Sequence, residues 1–261
     1  MGLYVKESGN KNAPILVFLH GGGVSGWMWE KQVQYFKEDY YVLIPDLPGH
    51  GNSGNEEFVS INKTAEDIIN IIQERKNGQK VTIIGFSLGA QIALEILSVK
   101  GDIIDQAIIV SGLVRPLKYF QAILKPLIRI SMPLTKSKSF AKLQAKVLYV
   151  GEEQFDLYFQ DTVQMSVEDL LRVLEENMSY RIPDGFKRSK ANILVLVGEK
   201  EKKTMGKSAV VITRSNRNCQ GYMIPRVGHG ISLANPDLFN KLVEAWMNEK
   251  ELPKGMRSIN N

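Results

Sequence analysis

The sequence predicts an α/β fold, a parallel sheet covered on both faces by helices. Three observations predict it. Short apolar runs alternate with longer segments of helical periodicity. From Val81 onward the runs are apolar at successive positions, as strands buried on both faces are. The chain has 261 residues, 44% hydrophobic and 23% charged, enough to bury a sizeable core in one α/β domain with an insertion.

The first run is "PILVFLH", Pro14–His20, which ends in glycines. Trp29, Val33 and Phe36 then fall at i, i+4 and i+7, one face of a helix. "YYVLIPD", Tyr40–Asp46, is the next strand, ended by the turn-rich "LPGHGNSG". Ile61, Ala65, Ile68 and Ile72 mark an amphipathic helix that stops at Asn77-Gly78. "VTII" starts a strand at Val81, and Ala90–Val99 is a helix apolar on most sides, hence buried. "QAIIVSG" (Gln106–Gly112), "NILVLVG" (Asn192–Gly198) and "GYMIP" (Gly221–Pro225) are further strands. Asn235-Pro236 opens a last helix, an N-cap followed by Pro at the first helical position. Its apolar face is Phe239, Leu242, Val243 and Trp246.

The alternation breaks between the fourth of these strands and its successor. Residues 113–189 read as several helices, including "SVEDLLRVLEENM", inserted as a helical cap into a core made of residues 1–112 and 190–261. Arg115, Lys118, Lys125, Arg129, Lys136, Lys138, Lys142 and Lys146 stand there with no Asp or Glu between them. Apolar Leu117, Tyr119, Phe120, Ile123, Leu124, Leu127, Ile128 and Ile130 interleave. The pattern reads as the solvated basic face of packed helices, and alternatively as a surface that makes weak contact with anionic lipid.

The formal net charge of +5 comes with no nucleic-acid-binding motif, so no nucleic-acid partner is expected. A single cysteine, Cys219, excludes an intrachain disulfide and points to a reducing compartment. "MGLYVKESGN" has no apolar core of signal-peptide length, and Lys6 stands where myristoylation needs Ser or Thr. With no run of about 18 apolar residues, the expectation is a cytoplasmic protein. No pattern in the chain specifies an oligomeric state.

The chemistry is concentrated in "VTIIGFSLGAQIALEIL", where Gly85-Phe86-Ser87-Leu88-Gly89 joins a strand to a helix. Such a G-x-S-x-G turn holds its Ser on a sharp, strained bend with the hydroxyl above the sheet. The helix beginning at Leu88 points its first N–H groups toward developing negative charge. Of three histidines, His20, His50 and His229, only His229 follows Ser87, as the acid-then-His chain order of this turn requires. His20 and His50 lie in glycine-rich turns and read as loop braces. "LHGGGVSGW" has glycines that let backbone N–H groups approach a tetrahedral oxyanion, and it matches neither common phosphate-loop pattern.

Together "LHGGGVSGW", "PDLPGHGNS", "GFSLG", "LVGEKE" and "VGHG" occur in the order and spacing of the α/β-hydrolase-fold serine hydrolases, which this chain resembles over Pro14–Gly112 and Lys190–Met247. The resemblance implies an eight-stranded, mostly parallel sheet flanked by helices, no cofactor and no metal. It implies hydrolysis of a small-molecule carboxylic ester through an acyl-enzyme, with Ser87 as nucleophile and His229 as base, and the apolar residues of the cap point to an apolar acyl or alcohol group in that ester. The oxyanion hole falls to the amides of Gly22 and Leu88. The acid, three residues past a Gly, falls on Glu201, with Glu199 as the alternative. The family's other acid position is held by Ser111 and Gly112, which carry no carboxylate. Asp46 precedes the Ser and reads as a loop fixer. A hydrolase-fold binding or signalling protein with slow or no turnover is the alternative function. Thioesterase, lyase and peroxidase chemistry also occur on this fold.

Overall fold

The computed structural model describes residues 2–117, 126–128, 130–131 and 134–259. Eight strands form one sheet: β1 (Val5–Ser8), β2 (Ile15–Leu19), β3 (Tyr41–Pro45), β4 (Val81–Phe86), β5 (Gln106–Val110), β6 (Asn192–Gly198), β7 (Cys219–Ile224) and β8 (Arg257–Ser258). Their order is β1-β3-β2-β4-β5-β6-β7-β8. Only the two outer pairings, β1 with β3 and β7 with β8, are antiparallel. This is the α/β-hydrolase fold that the resemblance implies.

The continuous apolar runs have the physical reason read from the sequence: each strand feeds two cores. Ile15, Val17 and Leu19 pack on one face of the sheet. Leu16 and Phe18 pack on the other. The first face is covered by α2 (Ile61–Arg75), α3 (Leu88–Val99) and α7 (Lys203–Ser215). The second is covered by α1 (Glu30–Phe36) and α9 (Pro236–Met247), with Trp29, Val33, Phe36, Phe239, Leu242 and Val243 buried between them. Asn235 caps α9 by accepting from the Leu238 amide at 3.1 Å.

Three elements have no counterpart in the sequence reading. The edge strands, "VKES" and "RS", carry no apolar run because each is paired on one side only. Helix α7, "KTMGKSAVVITRS", is masked by Gly206 and a β-branched run, both poor in helix propensity. Packing overrides propensity there: Ala209 and Ile212 are buried against the sheet.

Between β5 and β6 run α4 (Lys138–Val147), α5 (Glu152–Gln164) and α6 (Val167–Ser179). Ser166 caps α6, its hydroxyl accepting from the Asp169 amide at 3.0 Å. Lys138 and Lys142 sit over the rings of Phe159 and Phe155, each 5.6 Å from the centroid, which accounts for two members of the basic series. Lys118, Lys125, Arg129, Tyr119, Phe120, Ile123 and Leu124 lie outside the described residues. Among the described residues, no helix is long and apolar enough to cross a membrane.

What the sheet does for function is alignment. Its register pairs Leu19 with Gly85, Phe86 with Val110, Val110 with Leu196, and Gly198 with Ile224. The carboxyl ends of five parallel strands therefore meet along one edge, where ligand sites of open α/β sheets form.

Candidate active site

Ser87 is the residue immediately after β4 and the N-cap of α3, with φ 53° and ψ −108°. A non-glycine residue held at positive φ stores about 1–3 kcal/mol of strain. Its neighbours make the bend possible. A Cβ on Gly85 would stand 2.2 Å from the Gly89 carbonyl oxygen, and one on Gly89 would stand 2.4 Å from that of Leu19. Two backbone bonds pin the turn to adjacent strands. The Ser87 amide donates to Val110 O at 2.9 Å, and the Gly89 amide to His20 O at 3.1 Å.

His229 arrives on the loop after β7. Its Nε2 is 3.1 Å from Ser87 Oγ and its Nδ1 2.7 Å from Glu201 Oε2. With Nδ1–H donating to the carboxylate, Nε2 is left to accept from the Ser hydroxyl. Glu201 stands three residues past the end of β6, its side chain only 2% exposed. Its second oxygen, Oε1, accepts from Ser111 Oγ at 2.7 Å and from the Gly198 amide at 2.8 Å. Both oxygens of this buried carboxylate are therefore engaged. The Phe86 ring lies 4.9 Å from the imidazole, centroid to centroid.

Ser111, at the position noted in the sequence for lacking a carboxylate, is a contact of Glu201 that sequence reasoning missed. It sits at φ 54°, a second strained residue directly after β5. Its hydroxyl braces the acid that the neighbouring loop supplies. Glu199 turns elsewhere. It accepts from the Arg226 amide at 2.9 Å and pairs with Arg257 of β8. The Arg226 amide chiefly, with help from Arg257, holds its carboxyl below the usual range.

The Gly22 loop lies beside the start of α3. A Cβ on Gly22 would be 3.9 Å from Leu88 Cδ2 and 3.1 Å from Val173 Cγ1 on α6. The Gly22 and Leu88 amides have no acceptor among the described residues.

His20 and His50 take structural places. The His20 ring donates from Nδ1 to Gly21 O at 2.8 Å and accepts the Leu47 amide at Nε2, 2.9 Å away. His50 Nδ1 donates to Pro48 O at 2.8 Å. Burial pushes His20 down to about 4, and burial with the nearby His20 pushes His50 down to about 3. Asp46 accepts from the amides of Gly26 and Asn52, each at 2.8 Å, and so fixes the loop in which it stands. Burial pushes the Cys219 thiol, on the first residue of β7, up to about 12.

Ser87 and His229 open on a cavity of about 610 Å³ whose wall includes Leu113, Leu117, Val147 and Met205. Tyr149, from the α4–α5 turn and itself at φ 60°, also lines it. Its hydroxyl accepts from the Gly228 amide at 2.9 Å, next to His229. Among the described residues, no group of three or more His, Cys, Asp or Glu side chains is arranged to hold a metal ion.

Comparison with known proteins identifies the family and the fold. A family model described as "Alpha/beta hydrolase family" matches residues 16–242. A curated (E)-2-((N-methylformamido)methylene)succinate hydrolase of Acinetobacter baylyi is 20% identical over 244 residues, covering 89% of each chain. A 3-oxoadipate enol-lactonase of the same organism is 35% identical, but over 35% of this chain and 34% of that one. A solved hydrolase from Pseudomonas aeruginosa superposes with a TM-score of 0.79 at 15% identity, over 93% of each chain, a likeness of fold.

Proposed function

Because this chain belongs to the alpha/beta hydrolase family, we propose that it is a serine hydrolase that cleaves a carboxylic ester through an acyl-enzyme. One observation carries the reading: the unbroken hydrogen-bonded run from Ser87 through His229 to Glu201 beside a largely apolar cavity. Ser87 Oγ attacks the ester carbonyl as His229 Nε2 takes its proton. Glu201 holds the Nδ1–H tautomer and stabilises the imidazolium. The oxyanion is received by the amides of Gly22 and Leu88. As the tetrahedral intermediate collapses, the carbon–oxygen bond to the leaving group breaks and His229 returns the proton to the departing alcohol. Water, activated by the same imidazole, then attacks the acyl-Ser87 carbonyl and frees the acid.

The relative named as an enol-lactonase supports an ester-type substrate, a lactone being a cyclic ester. Residues 113–189 act in this proposal as a cap over the cavity. Leu113, Leu117, Val147 and Tyr149, all in that stretch, support it by lining the wall. The contact of Glu201 with His229 weighs against the alternative of a binding protein without turnover. Weak contact with anionic lipid is supported by exposed Leu134, Leu143 and Val147 beside Lys136, Lys142 and Lys146. Co-sedimentation with phosphatidylserine vesicles reads it out.

The function is tested with a fluorophosphonate probe and a p-nitrophenyl ester. Stoichiometric labelling and a burst of nitrophenol are expected, both lost in Ser87→Ala. Undiminished labelling of that variant would place the nucleophile elsewhere, and labelling without turnover would favour the binding reading.

A further inference from the structure

The wall of the active-site cavity has an uneven charge. Lys146 reaches it from the last turn of α4, and Lys200 and Lys202 from the loop between β6 and α7. Among the described residues, the only acidic side chain on that wall is Glu201. Its oxygens are taken by His229, Ser111 and the Gly198 amide. None of the three lysines has a carboxylate within ion-pair distance among the described residues. Nor can the undescribed part of the insertion supply one, because the sequence has no Asp or Glu between Asp105 and Glu152. The nearest acid in the chain, Glu199, is turned away and occupied by Arg226 and Arg257.

Like charges that converge from two separate elements repel one another, and no ion pair among the described residues offsets them; Glu199 acts on Lys200 only from outside ion-pair distance. The rest of the wall joins apolar Leu113, Leu117, Val147 and Met205 to the uncharged polar Tyr149, Asn177 and Thr204, so its positive charge is carried by the lysines. We propose that the substrate of the site is an anionic ester, one carrying a carboxylate or phosphate group away from the scissile carbonyl, and that Lys146, Lys200 and Lys202 select for it. The inference rests on the serine-hydrolase reading for the reaction, but its binding component does not. All three lysines line the cavity and are exposed residues, so each contact with an anion is worth a factor of about 1.5–5. Three acting together give selectivity on the order of tenfold at low salt, with steering of the approaching anion included.

The test compares two esters of equal chain length, mono-p-nitrophenyl adipate and p-nitrophenyl hexanoate. In low-salt buffer kcat/KM for the adipate should exceed that for the hexanoate by on the order of tenfold. The ratio should fall to within about twofold at 0.5 M salt, and likewise in the triple variant Lys146→Met, Lys200→Met, Lys202→Met. A ratio near or below one, or one that ignores both salt and the substitutions, would overturn the proposal. A second arm separates it from the reaction itself. In Ser87→Ala, calorimetry should show monomethyl adipate binding more tightly than methyl hexanoate, with the preference lost in the added lysine variants. If neither nitrophenyl ester turns over but this preference holds, the serine-hydrolase reading fails and the anion site stands. Equal affinities would remove the anion site whatever the turnover.

Discussion

At the scale of single residues, the acid is where sequence and structure speak most differently. The chain offers two glutamates two positions apart, and both lie near the end of β6. Only the fold separates them: Glu201 is buried against His229, while Glu199 anchors Arg226 and the edge strand. Glu201→Gln should therefore lower kcat by about 10²–10⁴-fold, since an amide at that place can present its N–H to Nδ1 and favour the wrong tautomer. Glu199→Gln should leave kcat within a few-fold and act on the attachment of β8. Steady-state kinetics on one ester decides between them, and equal losses would refute the assignment. Ser111 adds a finer expectation. Ser111→Ala removes one donor to the buried carboxylate, a charged hydrogen bond worth about 1.5–3 kcal/mol, and should lower kcat roughly tenfold while KM stays close to its original value. Ser111→Thr, which keeps a hydroxyl, should recover part of the loss. Ser87 and His229 could be nominated from residue types in order along the chain, and Glu201 only from the family register, with Glu199 left as its alternative. Ser111 could not, because a serine after a strand has no distinguishing neighbour until the β6 loop is folded beside it.

Among the elements, the strand–turn–helix at Ser87 is the most constrained. Gly89 sits where α3 meets β2, and a methyl group would overlap the Leu19 carbonyl at 2.4 Å and that of His20 at 2.7 Å. These are backbone atoms, so no side-chain rotation relieves the overlap. Gly89→Ala should cost several kcal/mol, in the upper range for single substitutions, and be read as a fall in the urea midpoint. Gly206→Ala on α7 is the control. That position meets nothing within 4 Å, and Ala should raise stability by up to about 1 kcal/mol through helix propensity. Comparable losses at both sites would mean that the elbow is not close-packed as described. Both outcomes express a general difference between elements here. Helices such as α2 and α9 are written in their own periodicity and caps, whereas α7 is helical because the sheet gives Ala209 and Ile212 somewhere to be buried.

For the molecule as a whole, the buried histidines set the acid limit of stability. His20 and His50 are driven down by burial to about 4 and about 3, from 6.5 in an open chain. Below about pH 6.5 the unfolded chain takes up two protons that the folded protein refuses. Their contribution is complete above that pH and is lost as pH falls toward the folded values. Each ring contributes a slope of up to about 1.4 kcal/mol per pH unit. Asp161, pushed up to about 6 chiefly by burial, acts in the opposite sense below that value, because folding then favours its protonated form. The thermal midpoint should thus fall from pH 6.5 to 5, with a net slope set by two imidazoles less one carboxyl. His50→Asn keeps an N–H for the Pro48 carbonyl and removes one titrating ring, so it should flatten the curve. A midpoint that does not move over that range in the parent protein would exclude the mechanism.

The sequence alone determined the layered α/β class, the six inner strands and the elbow at Ser87. Those features are local: apolar runs, helical spacing and a pentapeptide between them are complete within a few residues of chain. It also determined that His229 is the one histidine placed after Ser87, since that is a matter of order. Tertiary structure decided the rest. The choice of Glu201 over Glu199, the brace from Ser111 and the pairing of edge strands β1 and β8 all join residues distant in the chain. So does the meeting of Lys146 with Lys200 and Lys202 around one cavity. Each depends on strand register and on which way a loop turns after its strand, quantities set by the packing of the whole sheet and carried by no short segment.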